Sequence, residues 1–401
     1  MRSAIGSFAT GWLPSELSPQ MLALTATDTA LHLAHPRKGK RSKLGIALAL
    51  GTMAVHARRI AQATKSGEVI DAALAETLNA DHAAALGDLG PVDRSFPRKE
   101  MLRPFHFKNA GVSVERNIAY SDAGKRGLLD IYRPADHADL KGAPVLLQVH
   151  GGAWILGQKE QQGLPLMMDL ASRGWVCVAI NYRLAPRNPW PAHIIDVKRA
   201  IAWVKEHISE YGGDPDYVVI TGGSAGGHLT ALAALTANDP EFQPGFESTD
   251  TSVQLAVPHY GVYDLAGSTG LESARLTRDG FLSKKVMFTT WDENPEVFEA
   301  ASPILRITED APDFFVLHGD KDSLVDVNQG RLFVERLREI SKNSVSYAEF
   351  PGAQHAYEIF NSIRSGYVTR GVSRYVRAHH AAWKAGRPAP EVIATEESFS
   401  G

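Results

Sequence analysis

Ser224 stands in the stretch TGGSAGG, with a glycine two residues away on each side. A serine at a tight turn between a strand and a helix needs such glycines, because side chains at those positions would obstruct the turn. The serine hydroxyl would then be exposed at the edge of a sheet, and the amides at the start of the following helix would favour negative charge beside it. The spacing therefore predicts a nucleophile for acyl transfer rather than a structural turn.

A serine hydroxyl is a poor nucleophile without a base, and the base needs an acid to orient it. In a strand–serine–helix arrangement the acid and then the histidine follow the serine, each after a later strand. The stretch FFVLHGDKDSLVD offers Asp320 and Asp322, and its Gly-x-x-Asp-x-x-Val spacing favours Asp322 as the orienting acid. His355, in PGAQHAYE directly after the last apolar strand, is the expected base.

Neighbouring polar residues are weaker candidates. Asp320 is expected to cap its turn or to remain solvated, and His318 to brace the acid loop. His228 lies one helical turn after the serine and is expected to pack behind the site. His259 follows another strand, and we expect it to line the substrate pocket.

The run PVLLQVHGGAW is an apolar strand that ends in two glycines. The oxyanion formed in acyl transfer needs backbone amides about 2.7–3.1 Å from its oxygen, and glycines let a loop turn its amides inward. His150 is expected to hold this loop and Trp154 to form a wall of the pocket. The predicted oxyanion-hole donors come from this loop and from the residue after the nucleophile: Gly151, Gly152, Ala153 and Ala225.

The elements that must position these residues alternate from about residue 110 onward. Short apolar runs are followed by helical patterns, which predicts a mostly parallel central sheet flanked by helices. Ligands bind at the carboxyl ends of the strands in such sheets, and the motifs above all follow apolar runs. The expected strands are 145–149, 175–180, 217–220, 255–257, 314–317 and 345–350.

The first 105 residues follow a different pattern, rich in Ala, Leu and Thr at helical spacing. A loop rich in Pro, Arg and charged residues, at 90–105, is the expected boundary. We therefore expect a helical N-terminal extension or cap at 1–105 and a catalytic domain at 106–390. We also expect a helical lid insertion at about 266–300 and a tail at 391–401.

A basic cluster precedes an apolar run between Arg37 and Arg59. The apolar run, 44–55, is shorter than the roughly 20 residues that a membrane-spanning helix needs. It fits either a core or cap helix or a membrane-surface helix with basic flanks. No basic start followed by an apolar run opens the chain, so we expect no ordinary signal peptide. The expected location is cytoplasmic or peripheral to the membrane or cell envelope.

The composition is that of an ordinary globular protein: 401 residues, 44% apolar and 22% charged. A formal net charge of −3 gives no sign of a nucleic-acid partner. The single cysteine, Cys177, rules out an intramolecular disulfide and is expected to be a small buried residue. The oligomeric state stays open.

In their order along the chain, the motifs resemble those of α/β-hydrolases of the hormone-sensitive-lipase-like carboxylesterase group. The wider runs at 224–242 and 294–304 resemble mycobacterial or actinobacterial esterases and lipases with a comparable N-terminal extension. The resemblance covers about residues 110–385. Its pieces are HGGAW (150–154), NYRLAPRNPWPAHIIDV (181–197), GGSAGG (222–227), HGDKDSLV (318–325) and GAQHAY (353–358).

The resemblance implies an α/β-hydrolase fold and a serine hydrolase that cleaves small carboxylic esters, often of short to medium acyl chains, with neither cofactor nor metal. It also implies structural roles for Arg183 and Asp196. One departure is Ala153, which replaces the usual third glycine of the loop. His-Gly-Gly-x-Trp also occurs in arylformamidase-like and feruloyl-esterase-like relatives, so such a hydrolase is the alternative. A non-catalytic binding module would not need the intact serine, acid and histidine.

Overall fold

The computed structural model describes residues 2–35, 42–77, 80–89 and 93–386. The tail expected at 391–401 and part of the basic cluster, 36–41, lie outside these residues. An eight-stranded sheet forms the centre of the described chain. Its strands are β1 (Val112–Ala119), β2 (Leu128–Pro134), β3 (Ala143–Val149), β4 (Val176–Ile180), β5 (Gly213–Gly223), β6 (Leu255–His259), β7 (Asp313–Gly319) and β8 (Val345–Phe350).

The strands lie in the order β1-β2-β4-β3-β5-β6-β7-β8. Only β2 runs antiparallel to its neighbours, β1 and β4. The other adjacent pairs are parallel, which confirms the mostly parallel sheet. The chain passes from β3 to β4 on one side and then returns to place β5 on the other side of β3. This change of direction is where ligands bind in open α/β sheets.

Helices cover both faces of the sheet. The alternation of side chains along a strand sends Val145, Leu147 and Val149 of β3 into one core and Leu146 into the other. The helices are α1 (Arg2–Glu16), α2 (Ser18–Ala34), α3 (Lys43–Thr64), α4 (Ser66–Thr77), α5 (Ala80–Asp88), α6 (Arg98–Leu102), α7 (Leu164–Ala171), α8 (Ala192–His207), α9 (Ala225–Leu235), α10 (Glu272–Thr277), α11 (Pro295–Ala300), α12 (Val327–Ile340) and α13 (Ile363–Ala385).

The six strands expected from the sequence are present as β3 to β8, and each apolar run forms the buried centre of its strand. The structure adds β1 and β2, which the sequence analysis did not predict. All eight residues of β1 are half-buried or exposed. Its pairing with β2 is also irregular between Glu115 and Ile118, so neither periodic alternation nor a continuous apolar run marks it.

The region before β1 is helical, as expected, and packs against the sheet domain. Ile70 of α4 is fully buried and fills the space beside Gly371 of α13. Glu16, at the end of α1, forms a buried ion pair with Arg364 of α13, with 3.1 Å between the carboxylate oxygen and Nε. Because a buried charge is costly without its partner, this ion pair ties α1 to the sheet domain.

The long insertion between β6 and β7 contains three helical segments: α10, a π-helix at Arg278–Met287, and α11. This helical content agrees with the expected helical insertion at 266–300. Its function as a lid, like the division of the chain at residue 105, stays a prediction.

Candidate active site

Ser224 lies in the turn between β5 and α9, with φ 59° and ψ −122°. This backbone conformation is rare for a residue with a side chain. The flanking Gly222 and Gly226 both lie against the carbonyl oxygen of Val149 in β3, so a Cβ at either position would collide with it. The Ser224 amide donates to the carbonyl of His259, 3.0 Å away. The glycines of the motif are therefore required by the close contact between neighbouring strands.

Asp322 and His355 come together at the ends of β7 and β8. His355 Nδ1 donates to Asp322 Oδ2 over 2.6 Å. The other carboxylate oxygen, Oδ1, accepts the amides of Leu324 and Val325 at 2.8 and 2.9 Å. These bonds fix the carboxylate and hold the ring so that Nε2 is the nitrogen available to accept a proton.

Two further residues brace this pair. His318 Nε2 lies 3.4 Å from Asp322 Oδ2, as expected of a residue that supports the acid loop. The Gln354 side-chain oxygen accepts the amides of Ser323 and His355, at 2.7 and 2.9 Å, and so links the acid loop to the histidine loop. Burial alone would raise the pKa of Asp322, but His355 and His318 lower that pKa below its ordinary value. The carboxylate therefore stays ionised beside the histidine.

The glycine-rich loop after β3 lies against the nucleophile. If Gly151 had a Cβ atom, that atom would lie 3.2 Å from Ser224 Cβ. The Gly151 amide, however, already donates to the side-chain oxygen of Gln162 over 2.6 Å. This contact revises the predicted oxyanion hole, because one N–H with a close acceptor is not free for another oxygen.

The other predicted donors are free. Within the described residues, the amides of Gly152, Ala153 and Ala225 have no acceptor. Gly152 and Ala153 both have positive φ, 127° and 52°. Ala225 is the first residue of α9, where amides have no partner inside the helix. Three unpaired amides thus remain as candidates for the oxyanion hole.

Trp154 does not stand free as a pocket wall. Its indole is buried, and Nε1 donates to His228 Nδ1 over 3.1 Å. His228 Nε2 in turn donates to the Ala301 carbonyl over 2.7 Å. Burial lowers the pKa of His228 to about 4, so it is neutral at pH 7. The buried indole N–H needs an acceptor, which explains why Trp154 turns inward and why His228 packs behind the site.

His150 supports the loop, as the sequence suggested. Its ring stacks on Tyr182 with centroids 4.3 Å apart, and Nδ1 donates to the Gly151 carbonyl over 2.8 Å. Burial lowers the pKa of His150 to about 4. Arg183 also behaves as the resemblance implied, since its guanidinium pairs with the buried Asp196 at 2.7 Å.

His259 lines a small cavity. The cavity lining includes Gln148, Thr221 and Glu358 but neither Ser224 nor His355. His259 is buried, and burial lowers its pKa to about 3. The backbone carbonyl of His259 accepts the Ser224 amide and so contacts the turn that carries the nucleophile. A contact between the His259 ring and substrate stays a prediction.

Tyr260 and Glu358 form a polar pair beneath His355. No feature of the sequence predicted this pair. The Tyr260 hydroxyl donates to the Glu358 carboxylate. The Tyr260 ring centroid lies 4.5 Å from that of His355. The same hydroxyl fills the space where a Cβ of Gly223 would lie. Burial raises the pKa of Glu358 to about 7, although the Tyr260 hydrogen bond opposes this rise.

The raised pKa of Glu358 predicts a pH-dependent gain in stability for Glu358→Gln. In the unfolded chain the carboxyl ionises near pH 4.5, but in the folded chain it ionises near pH 7. Its contribution to stability is therefore complete below pH 4.5 and is lost as pH rises through 7. Relative to the native protein, the variant should gain about 3 kcal/mol in unfolding free energy between pH 4 and pH 8. Urea denaturation at both pH values measures this gain, and a pH-independent difference would contradict it.

The N-terminal helix α1 also reaches the site. The Phe8 ring meets the His355 ring edge-on, with centroids 5.9 Å apart. Trp12 Nε1 donates to the carbonyl of Ala356 over 2.8 Å. These contacts place an element of the N-terminal extension against the expected base. Among the described residues, no group of three His, Cys, Asp or Glu side chains could hold a metal ion.

A strained serine after β5, an acid after β7 and a histidine after β8 on a mostly parallel sheet define an α/β-hydrolase. Solved structures have the same fold. An esterase from the Planctomycetes species Thermogutta terrifontis, solved with butyrate, matches with a TM-score of 0.55 and 26% identity, over 70% of this chain and 97% of that chain. A carbohydrate esterase from gut microbiota matches in fold with a TM-score of 0.54 and 24% identity, over 66% of this chain and 96% of that chain.

Mycobacterial esterases are among the proteins that match in sequence. Esterase LipQ of Mycobacterium tuberculosis is 42% identical over 372 residues, which are 92% of this chain and 84% of LipQ. Esterase LipC of the same organism is 40% identical over 374 residues, 90% of this chain and 91% of LipC. The probable carboxylic ester hydrolase LipM, also of M. tuberculosis, is 53% identical over 279 residues, 69% of this chain and 64% of LipM.

The family model BD-FAE matches residues 129–337. The chain belongs to this family of α/β-hydrolases, and it is a carboxylic ester hydrolase. This result confirms the resemblance to the hormone-sensitive-lipase-like carboxylesterase group and to its mycobacterial members.

Proposed function

We propose that the protein cleaves carboxylic esters through an acyl-enzyme on Ser224. The Ser224 hydroxyl attacks the ester carbonyl, and His355 Nε2 takes the hydroxyl proton. The negative oxygen of the tetrahedral intermediate accepts hydrogen bonds from the amides of Gly152, Ala153 and Ala225. The ionised Asp322 stabilises the positive charge that His355 carries at this stage.

His355 then gives its proton to the leaving alcohol, and the ester bond breaks to leave an acyl group on Ser224. Water enters, His355 takes a proton from it, and the resulting hydroxide attacks the acyl carbonyl. Collapse of the second intermediate releases the carboxylic acid and returns the proton to Ser224. The observation that carries this proposal is the 2.6 Å bond from His355 Nδ1 to a buried, fully hydrogen-bonded Asp322.

We infer that the substrates are small esters of short to medium acyl chains. The related Thermogutta terrifontis esterase was solved with butyrate and also with propionate. The helical insertion between β6 and β7 and the contacts of Phe8 with His355 supply the elements that would limit acyl length. A series of p-nitrophenyl esters from acetate to palmitate tests this inference. It fails if kcat/KM rises steadily to the longest chain.

The second candidate is an amide, formamide or feruloyl-ester hydrolase on the same residues. The His-Gly-Gly-Ala-Trp loop favours it. We expect the rate on a p-nitrophenyl ester to exceed that on the matched p-nitroanilide by about 10²-fold or more, because amide cleavage depends more heavily on protonation of a poor leaving group. A rate on the anilide or on an N-formyl arylamine equal to the ester rate would favour the alternative. A preference for feruloyl esters over simple aliphatic esters would identify a feruloyl-ester hydrolase.

We also propose that the hairpin of α2 and α3 contacts a membrane surface. Residues 1–65 contain nine Lys or Arg and only two Asp or Glu, whereas the whole chain carries −3. Leu24 and Leu48 are 65% and 64% exposed, and Leu31, Leu44 and Val55 are also exposed. Exposed aliphatic rows beside basic residues match the chemistry of an anionic lipid surface.

For the hairpin of α2 and α3 we propose contact with the membrane surface rather than a membrane-spanning arrangement. Within the described residues, one helical stretch, 43–76, is long and apolar enough to cross a membrane. That stretch is divided at Lys65, and its last third, 66–76, packs into the core through the buried Ile70, Ala73 and Leu74. The proposal therefore places the protein in the cytoplasm or at the cell envelope as a peripheral protein.

The double variant Leu24→Gln/Leu48→Gln should weaken binding to anionic vesicles by about tenfold or more, since each leucine loses its apolar contact with lipid. Co-sedimentation with phosphatidylcholine vesicles, with and without phosphatidylglycerol, measures this. Native binding should weaken at high salt. Leu305→Gln, which changes an exposed leucine outside the hairpin, is the control. Equal binding of the double variant and the native protein would refute the proposal.

A further inference from the structure

A basic groove of about 1220 Å³ lies between the segment 93–110, α7 and α13. Its lining includes none of Ser224, Asp322 and His355. Eight Lys or Arg side chains and three Asp or Glu side chains line it, in a chain whose net charge is −3. The groove is therefore a separate concave surface with a strong excess of positive charge.

The acidic residues of the basic groove are already paired. Asp169 binds Arg173 at 2.9 Å, while Asp93 and Glu100 both lie 3.4 Å from Arg370. In the part of the chain that the structure describes, the side chains of Arg103 and Arg377 have no hydrogen-bond acceptor or acidic partner. The groove thus presents guanidinium groups that form no ion pair or side-chain hydrogen bond with any described residue.

Arg377 is the most crowded of these cations. Burial lowers the pKa of its guanidinium, and the nearby Arg173 and Arg374 lower it further, while the carboxylate of Asp169 opposes this shift. Arg374 and Arg377 lie three residues apart on α13 and therefore share one face of that helix. Like charges held together in a partly buried position repel one another, and a bound anion would relieve this repulsion.

A second feature of the groove also points to a ligand. Ser373, which directly precedes Arg374 on α13, is 2% exposed and lines the groove, and its hydroxyl has no partner among the described residues. Buried hydroxyls nearly always have a hydrogen-bond partner. The same groove also has apolar walls, formed by Phe96, Phe107 and Met168.

We propose that the basic groove binds an amphiphilic oxyanion, with a carboxylate or phosphate head near Arg377 and Ser373 and an apolar chain along Phe96, Phe107 and Met168. The planar guanidinium matches the geometry of both head groups and binds them through two parallel hydrogen bonds. The proposal does not rest on the ester hydrolysis proposed above, since no residue of the groove takes part in it.

Isothermal titration calorimetry of the full chain tests the proposal. The probes are decyl phosphate, decanoate, inorganic phosphate and the uncharged decyl maltoside, each below its micelle concentration. Decyl phosphate or decanoate should bind, and Arg103→Gln/Arg377→Gln should weaken this binding by about tenfold or more. The exposed Arg336→Gln on α12 removes a charge outside the groove and should leave binding unchanged. Unchanged ester turnover shows that each variant is folded.

The relative affinities of decyl phosphate and decanoate show whether the groove prefers a phosphate or a carboxylate head group. Inorganic phosphate that binds as tightly as decyl phosphate would overturn the role of the apolar wall. Decyl maltoside that binds as tightly as the anions would overturn the role of charge. Binding that is absent, or that the double variant retains in full, would overturn the proposed site. Ser373→Ala should weaken binding without a change of charge, and so separates a specific site from a general attraction to positive charge.

Discussion

Replacement of Ser224 by alanine is expected to lower kcat for a p-nitrophenyl ester by about 10⁴- to 10⁶-fold. The variant keeps the strained turn, the Asp322–His355 pair and the free amides, but it has no oxygen to attack the ester. The remaining rate should reflect water attack assisted by the oxyanion hole alone. Steady-state assays on enzyme purified away from host esterases measure the effect.

The matched control for this variant is Ser172→Ala, which removes an exposed hydroxyl at the end of α7. It should keep native kcat and KM. If the Ser224→Ala variant retained more than about a hundredth of native kcat, Ser224 would not be the nucleophile, because loss of a nucleophile costs far more.

Asp322→Asn is expected to lower kcat by about 10⁴-fold. The carboxylate now accepts the Nδ1 proton of His355 and two backbone amides. An asparagine at this position carries no charge to stabilise the protonated ring, and its amide can favour the ring tautomer whose Nε2 already carries a proton. The base would then be unable to accept the proton of Ser224. Kinetics and the pH profile of kcat/KM measure the loss.

Asp320→Asn provides the matched control, since it makes the same chemical change two residues away. Asp320 accepts the Gly352 amide at 2.6 Å and does not contact His355. We expect this variant to lose less than about tenfold in kcat, with any loss arising from the loop rather than from the base. A larger loss for Asp320→Asn than for Asp322→Asn would reverse the assignment of the acid.

The sequence was enough to predict that Asp322 and His355 lie together because their order is tied to the order of the strands; their catalytic roles, and that of Ser224, stay predictions. Ser224, Asp322 and His355 each follow a strand whose residues form one apolar run, and such runs are easy to recognise. The structure brings Asp322 and His355 into contact, although they are 33 residues apart. The contact needs only that β7 and β8 be parallel neighbours.

The sequence did not predict the contacts around this set because they join distant segments. Phe8 lies on His355 from α1. The Tyr260–Glu358 pair joins the end of β6 to the segment after β8. Neither carries a periodic pattern or a motif. The same holds for Gln162, whose side-chain oxygen accepts the Gly151 amide, one of the predicted oxyanion-hole donors.

Side-chain direction was the other limit of the sequence analysis. Trp154 and His259 both follow strands at the correct edge of the sheet, and on that basis both were expected to face the pocket. The indole of Trp154 instead turns into the core to bond His228. His259 lines the small cavity, whose lining includes neither Ser224 nor His355. Position along a strand predicts the edge at which a residue lies, whereas its rotamer depends on partners from other elements.

The most direct test of the central claim is to map the site at which a fluorophosphonate modifies the native protein. The reagent forms a stable phosphonyl ester with an activated serine and imitates the tetrahedral intermediate. We predict one adduct per chain, found by peptide mass spectrometry on Ser224, with loss of ester turnover in proportion to labelling. An adduct on another residue, or full turnover in protein that is completely labelled at Ser224, would contradict the proposed acyl-enzyme.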